Sequence, residues 1–245
     1  MKKRLKVNNE IYEEYGERWY HDQNDPVALL RAEGEFKNAW ILSTIDEKKP
    51  QNILDLGCGG GFLSNALAKK GHVVTAVDIS ESSLQIAKKY DETKSVTYIK
   101  SDVHHLPFDN HTFDIVCAMD LLEHIEKPEN LIAEINRVLR PGGIIYFHTF
   151  NRNTISHLVI IKLVEWLVPN TPKNLHVIDY FIKPQELKCW LQAHQMEVKF
   201  IKGIKPVVLN RALWMSIFKR KVLPGIKFEW TKSLITSYAG FAQKN

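Results

Sequence analysis

The chain has 245 residues, 44% of them hydrophobic and 25% charged, with 12 glycines, 10 prolines, 3 cysteines and a formal net charge of +5. That length and apolar content supply the core of one large α/β domain or two small ones, and the absence of low complexity or a fixed repeat excludes disordered, collagenous and solenoid classes. Cys58, Cys117 and Cys189 are far apart and match no metal-ligand spacing, so they read as reduced thiols of a cytoplasmic protein.

The chain opens on a basic stretch, MKKRLKV, followed by NNEIYEEYGERWYHDQND, which is too polar for the apolar core of a signal peptide. Residues 1–50 are expected to form an N-terminal helical region. From residue 52, short β-branched runs alternate with longer helical patterns. Strands are expected at 52–56, 72–78, 96–100, 113–119 and 143–149, with helices at 61–70, 82–90 and 129–139 between them. Gly71 stands where a helix ends, Pro128 where one begins, and Pro141-Gly142-Gly143 turns the chain into the fifth strand. Such alternation builds a parallel sheet from βαβ units.

After Asn153 the pattern breaks. TISHLVIIKLVEWLV, residues 154–168, is apolar nearly all round a helix, yet it is shorter than the ~20 residues that span a bilayer and carries charges. It is expected to pack beneath other elements or to meet a lipid surface or hydrophobic ligand. FIKPQELKCWLQAH then gives a helix with Pro184 in its first turn, and EVKFIKGI and LITSYAGFAQ give the last strands. The expected architecture is a Rossmann-like, doubly wound, mostly parallel sheet of seven strands with an antiparallel edge hairpin. It forms a single domain over 1–245, with a cofactor core at 51–150, an inserted segment at 151–182 and a C-terminal completion at 183–245. The basic run Lys219 to Lys221 reads first as a solvated face, with an anionic membrane surface as the alternative.

The stretch ILDLGCGGGF, residues 53–62, follows a strand and opens a helix, which is where doubly wound folds bind nucleotide-like ligands. It departs from the dinucleotide pattern G-x-G-x-x-G because Phe62 occupies the third glycine position, and it lacks the Lys and Ser/Thr of a P-loop. What remains, Asp55, Gly57, Gly59 and Gly61, resembles the first motif of S-adenosylmethionine-dependent methyltransferases. Its companions follow in order. Asp78 ends the second strand, 21 positions after Gly57, where a carboxylate can accept from both ribose hydroxyls. Asp102 follows the third strand, near the place of an adenine amine, and Met119 ends the fourth.

Beside DLGCGGG, the stretches CAMDLLEHI (117–125), FHTFNRN (147–153) and FIKPQEL (181–187) resemble the ubiquinone-biosynthesis O-methyltransferases. The resemblance implies S-adenosylmethionine as cofactor and a phenolic hydroxyl on a hydrophobic polyprenyl catechol as acceptor. It also implies cofactor contacts from Gly57, Asp78 and Met119, and from a basic residue before the first strand, either Lys37 by position or Arg31 by residue type. It further implies a peripheral membrane role for 154–168 and a place at the inner face of the membrane. No nucleic-acid partner is expected, since MDLLEH lacks the Asn/Asp-Pro-Pro-aromatic motif that grips a flipped base. This chain departs from the family at His148, where a small hydroxyl residue is usual, and at Val177, where the family has an acid.

A phenol with a pKa of about 10 is protonated at neutral pH, so the reaction needs a general base or a bound cation. His124 is the first candidate base, with Glu123 to orient it or to help hold a divalent cation; His148 and His176 come next. No ligand spacing demands a metal. The alternatives are a methyltransferase for another small molecule, a non-catalytic cofactor-binding module and, more remotely, a nicotinamide oxidoreductase.

Overall fold

Alternating β-branched and amphipathic segments place the first five strands side by side and their helices on both faces, and the computed structural model has this arrangement over residues 5–46 and 49–245. The basic start at 1–4 lies outside the described residues. In chain order, two short helices, α1 (Ile11–Glu14) and α2 (Arg18–His21), precede the long α3 (Pro26–Thr44). Next come β1 (Asn52–Leu56), α4 (Phe62–Lys69), β2 (Val73–Asp78), α5 (Glu81–Lys89), β3 (Thr97–Lys100) and β4 (Phe113–Met119). They are followed by α6 (Pro128–Val138) and β5 (Leu139–Phe150). A helical arm follows, made of α7 (Thr154–Ser156), a π-helical stretch His157–Leu163 and α8 (Val164–Leu167). The chain ends with α9 (Pro184–Ala193), β6 (Met196–Pro206), α10 (Arg211–Lys219), β7 (Phe228–Thr231) and β8 (Ser237–Lys244).

Local chemistry explains the boundaries. α3, α6 and α9 each start on a proline, whose fixed φ suits a first turn and whose missing N–H is not needed there. Glu186 reaches back to the Lys183 amide to close the start of α9. The sheet order is β3-β2-β1-β4-β5-β8-β6-β7, with β1 to β5 parallel and the last three strands antiparallel. Chain order reverses between β1 and β4, so their carboxyl ends flank an open crevice.

Two expectations need correction. The sheet has eight strands rather than seven; the extra one is β7, a four-residue run too short to stand out, whose Trp230 packs on Phe36, Trp40 and Phe200. β5 begins at Leu139, so Pro141-Gly142-Gly143 lies within the strand, where the register with β4 shifts. The inserted segment 151–182 packs into the domain, with Val164, Leu167 and Val168 sharing a core with Leu213, Ile217 and Val222. α10, which had no counterpart among the expected elements, is started by Asn210, whose side chain accepts from the Leu213 amide.

One face of the sheet packs on α6 and α9 through Leu131, Ile135, Leu187 and Leu191, and the other on α3 and α4 through Ile41, Leu63 and Leu67. No helix among the described residues is long and apolar enough to cross a membrane. Leu131 is fully buried in the larger cluster. Leu131→Ala should therefore lower unfolding free energy by about 2–5 kcal/mol in urea titration; a loss under about 1 kcal/mol would contradict this packing.

Candidate active site

The crevice begins where β1 ends. Gly57 and Cys58 donate their amides to the Val77 carbonyl at 2.8 and 3.1 Å, which folds the glycine loop back over β2. Gly59 donates to Asp78 Oδ2 at 2.8 Å and Ser80 to Asp78 Oδ1 at 2.9 Å, so one carboxylate ties the loop to the start of α5. Burial raises the Asp78 pKa, and these two N–H groups oppose the rise. Gly59 has φ of +49°, and a Cβ there would lie 2.6 Å from the Trp19 ring. The adjoining cavity, about 200 Å³, is lined by Asp55, Gly57, Asp78, Asp102, Val103 and Met119, among others. Asp55 is buried, which raises its pKa to about 7 although the Ser64 hydroxyl donates to it.

An N-terminal cover closes this cavity. The Tyr12 carbonyl accepts from the Ser80 and Ser83 hydroxyls at 3.3 and 3.1 Å, and Trp19 Nε1 donates to Ser83 Oγ at 3.2 Å. Glu13 accepts from the Glu81 and Ser82 amides at 3.1 and 3.2 Å, an acid at the positive end of α5. Arg31 braces the cover from outside the cavity, donating to the Trp19 and Asp22 carbonyls at 2.6 Å each. Arg31 is therefore not among the residues that line the cavity, and two of its donors are taken by backbone carbonyls.

Lys37, from α3, does line the cavity, but its ammonium sits 2.7 and 2.6 Å from the two oxygens of Asp120. Burial opposes its charge; Asp120 and Glu33 outweigh that and raise its pKa. Asp120 follows β4 with φ of +55°, a conformation that non-glycine residues seldom adopt. Burial favours its neutral form, yet Lys37 and His148 hold the carboxyl well below the usual range. His148 Nδ1 lies 2.5 Å from Asp120 Oδ1. Glu33, Asp120 and His148 carry ligand-type atoms within 4.8 Å of one another. The set nevertheless does not fit a metal ion, because the Lys37 ammonium already sits 3.4 Å from both Glu33 Oε2 and His148 Nδ1. The cluster has its own cation.

A second cavity of about 300 Å³ adjoins the first. Tyr12, Leu30, Asp120 and His124 line both. Its near end carries Glu33, Glu123 and His176, and its far end is walled by Val159 and Leu163 of the arm and by Leu213 and Ile217 of α10. Glu123 accepts from the Thr149 hydroxyl at 2.8 Å through Oε2, while its buried Oε1 has no hydrogen-bond partner. Burial, reinforced by Asp120, raises the Glu123 pKa to about 7. Burial lowers His124 to about 4 and His176, beside it, to about 3, so both rings are neutral at physiological pH.

The expected residues thus fall into groups. Lys37, Asp55, Gly57, Gly59, Asp78, Asp102 and Met119 line the first cavity. His124 stands at the junction, and Glu123 and His176 line the second. Three line neither cavity: Arg31, described above, Gly61 and His148. Gly61 starts α4, and a Cβ there would meet Ala87, so it serves helix packing. His148 is fully buried and acts through Asp120. Tyr12, Trp19, Glu33 and Asp120 were not anticipated. The aromatic spacing in IYEEYGERWY was the available signal for the first two, and the acid beside Met119 for Asp120.

Residues 54–147 match the family described as Methyltransferase domain. Curated relatives named ubiquinone biosynthesis O-methyltransferase include one from Coxiella burnetii, 39% identical over 158 residues that cover 64% of this chain and 68% of the relative. Another, from Haemophilus ducreyi, is 30% identical over 213 residues, covering 84% of this chain and 89% of the relative. Among solved structures, the magnesium protoporphyrin IX methyltransferase of Synechocystis with bound SAH has a TM-score of 0.62 at 18% identity, covering 96% of this chain and 99% of that one. A SAM-dependent methyltransferase from Methanosarcina mazei has a TM-score of 0.57 at 23% identity, covering 84% and 96%. These two likenesses are of fold. With the extent of the curated relatives and the glycine loop, the carboxylate on β2 and the cavity between them, the chain belongs to the ubiquinone-biosynthesis O-methyltransferase family of S-adenosylmethionine-dependent methyltransferases.

Proposed function

We propose that this protein methylates a phenolic hydroxyl of a catechol-type ring bearing a polyprenyl tail, in ubiquinone biosynthesis. The observation that carries the reading is the pair of joined cavities. One is lined by the glycine loop and Asp78; the other is polar where they meet and apolar beyond. A ring with hydroxyls fits the polar end and a hydrocarbon tail fits the apolar one.

The first cavity suits the cofactor. Asp78 stands where ribose hydroxyls would donate, Ile79 and Val103 offer apolar contact for adenine, and Asp55 is a buried acid whose side-chain partner among the described residues is the Ser64 hydroxyl. A ligand ammonium would complete Asp55. Lys37 is less available for a ligand carboxylate because Asp120 already engages it. When bound, S-adenosylmethionine supplies a methyl group on a positively charged sulfur. The protein's part is to hold the acceptor oxygen in line and to take its proton. His124, neutral and at the junction, takes that proton, which leaves an imidazolium beside the ionised carboxylate of Asp120. Glu123 Oε1, buried and unpartnered, accepts from the neighbouring ring hydroxyl.

The outer faces of the same arm and helix support contact with an anionic membrane. Leu158 is 57% exposed, Trp166 49%, Trp214 57% and Phe218 85%. Arg220 stacks on the Trp166 ring 5.4 Å away and donates to its carbonyl, which joins the arm to α10 beside Lys219 and Lys221. A tail leaving the cavity between these helices would emerge at an apolar, cationic surface. The division into N-terminal cover, cofactor core, arm and completing strands is our reading of one methyltransferase domain.

Three outcomes test this reading. Incubation with S-adenosylmethionine and a short-chain prenylated catechol should give a product one methyl heavier by mass spectrometry. Asp78→Ala should abolish it, and absence of product despite cofactor binding would overturn the acceptor. The pKa of Asp55 is raised, so its carboxylate forms only as pH rises through about 7. S-adenosylmethionine affinity by calorimetry should therefore weaken as pH falls below 7, by up to about tenfold per unit for one linked proton, and Asp55→Asn should flatten that slope. Finally, Trp214→Glu with Phe218→Glu should cut sedimentation with vesicles of phosphatidylglycerol by about tenfold or more and leave turnover of a water-soluble catechol unchanged.

A further inference from the structure

The N-terminal cover reaches past the cofactor cavity to His124. Asn8 donates its amide to the Asn174 carbonyl at 2.9 Å, which fixes this stretch against the loop that carries His176. Asn9, next along, grips His124 twice. Its Nδ2 lies 3.3 Å from the His124 backbone carbonyl, and its Oδ1 lies 3.0 Å from the His124 ring Nδ1. A carbonyl oxygen only accepts, so the amide nitrogen must face it and the amide oxygen must face the ring. An amide oxygen also only accepts. The ring hydrogen therefore sits on Nδ1, and the lone pair of the neutral imidazole is left on Nε2.

Nε2 points at the junction. Its nearest polar neighbour is the Tyr12 hydroxyl at 3.5 Å, long for a hydrogen bond, and Tyr12 lines both cavities. The other groups facing the ring are His176, with centroids 5.6 Å apart, and the Asp120 carboxylate. Neither donates a hydrogen to Nε2; the Tyr12 hydroxyl can, at 3.5 Å, and an acceptor hydroxyl at the junction would take its place.

We propose that Asn9 is a positioning residue that fixes His124 in the Nδ1–H tautomer, so that the segment covering the cofactor also sets the base. This rests on the reading of His124 as the proton acceptor. Asn9 is exposed at the rim of the first cavity, and both of its side-chain hydrogen bonds go to His124, so it acts through the ring. With the cover displaced, the ring is free to carry its hydrogen on Nε2, where it blocks proton transfer. Catalytic competence is thereby coupled to closure over the cofactor.

The test reads the ring directly. In full-length protein labelled with 15N-histidine and saturated with S-adenosylhomocysteine, the His124 signals should show a protonated Nδ1 and a bare Nε2. Asn9→Leu should shift the ring toward the other tautomer and lower kcat about tenfold or more. Asn9→Asp keeps an acceptor at Nδ1, so it should retain the tautomer and most of kcat at pH 8. Its negative charge favours the imidazolium, so the acid limb of the kcat profile should move to higher pH. A wild-type ring protonated at Nε2, or an Asn9→Leu variant with wild-type tautomer and kcat, would overturn the proposal. Failure of the wild-type protein to methylate any catechol would count against the acceptor, while the ring signal would still decide whether Asn9 sets the tautomer.

Discussion

A buried ion pair holds the site together. Lys37 on α3 is 1% exposed, and its ammonium meets both oxygens of Asp120 just past β4. The pair ties a helix outside the parallel core to the end of a central strand. It also secures a left-handed backbone at Asp120 and sets a permanent negative charge where the two cavities meet. Removing either partner would leave an uncompensated buried charge, which typically costs about 3–5 kcal/mol. His148, in place of the smaller hydroxyl residue usual in the family, joins the pair at 2.5 Å from Asp120 and fills the space behind it.

The N-terminal segment depends on that frame and extends it. Trp19 packs against the face of the loop that Gly59 leaves bare, so the glycine there accommodates an aromatic side chain of the protein itself. Tyr12 borders both cavities, Glu13 caps α5, and Arg31 props the segment from behind. One stretch thus covers the first cavity, walls the second and touches His124. On the far side, the arm and α10 present apolar residues both inward to the second cavity and outward to solvent.

Much of this was legible in the chain because its signals are local. Strand-then-glycine-then-helix needs only neighbouring residues, and β1, β4 and the carboxylate at Asp78 fall where the pattern put them. What escaped depends on contacts between distant segments. Lys37 and Arg31 are equivalent as basic residues before β1, and only packing shows that Arg31 faces away and that Lys37 has a partner 83 positions on. The aromatics at 12 and 19 read as part of a polar leader because their role is set by the glycine loop they cover. β7 is four residues long and gains its stability from aromatic neighbours on α3 and β6. His148 has the residue type of a base, but it is fully buried against Asp120 and lines neither cavity.

The most direct measurement is a crystal structure of the full chain with S-adenosylhomocysteine and a short prenylated catechol. The account predicts ribose hydroxyls on Asp78, the sulfur facing Asp120 and His124 at the junction, and the ring hydroxyl against His124 Nε2 with the prenyl group running between the arm and α10. A ligand whose sulfur faces away from that junction, or a catechol bound outside the second cavity, would contradict it.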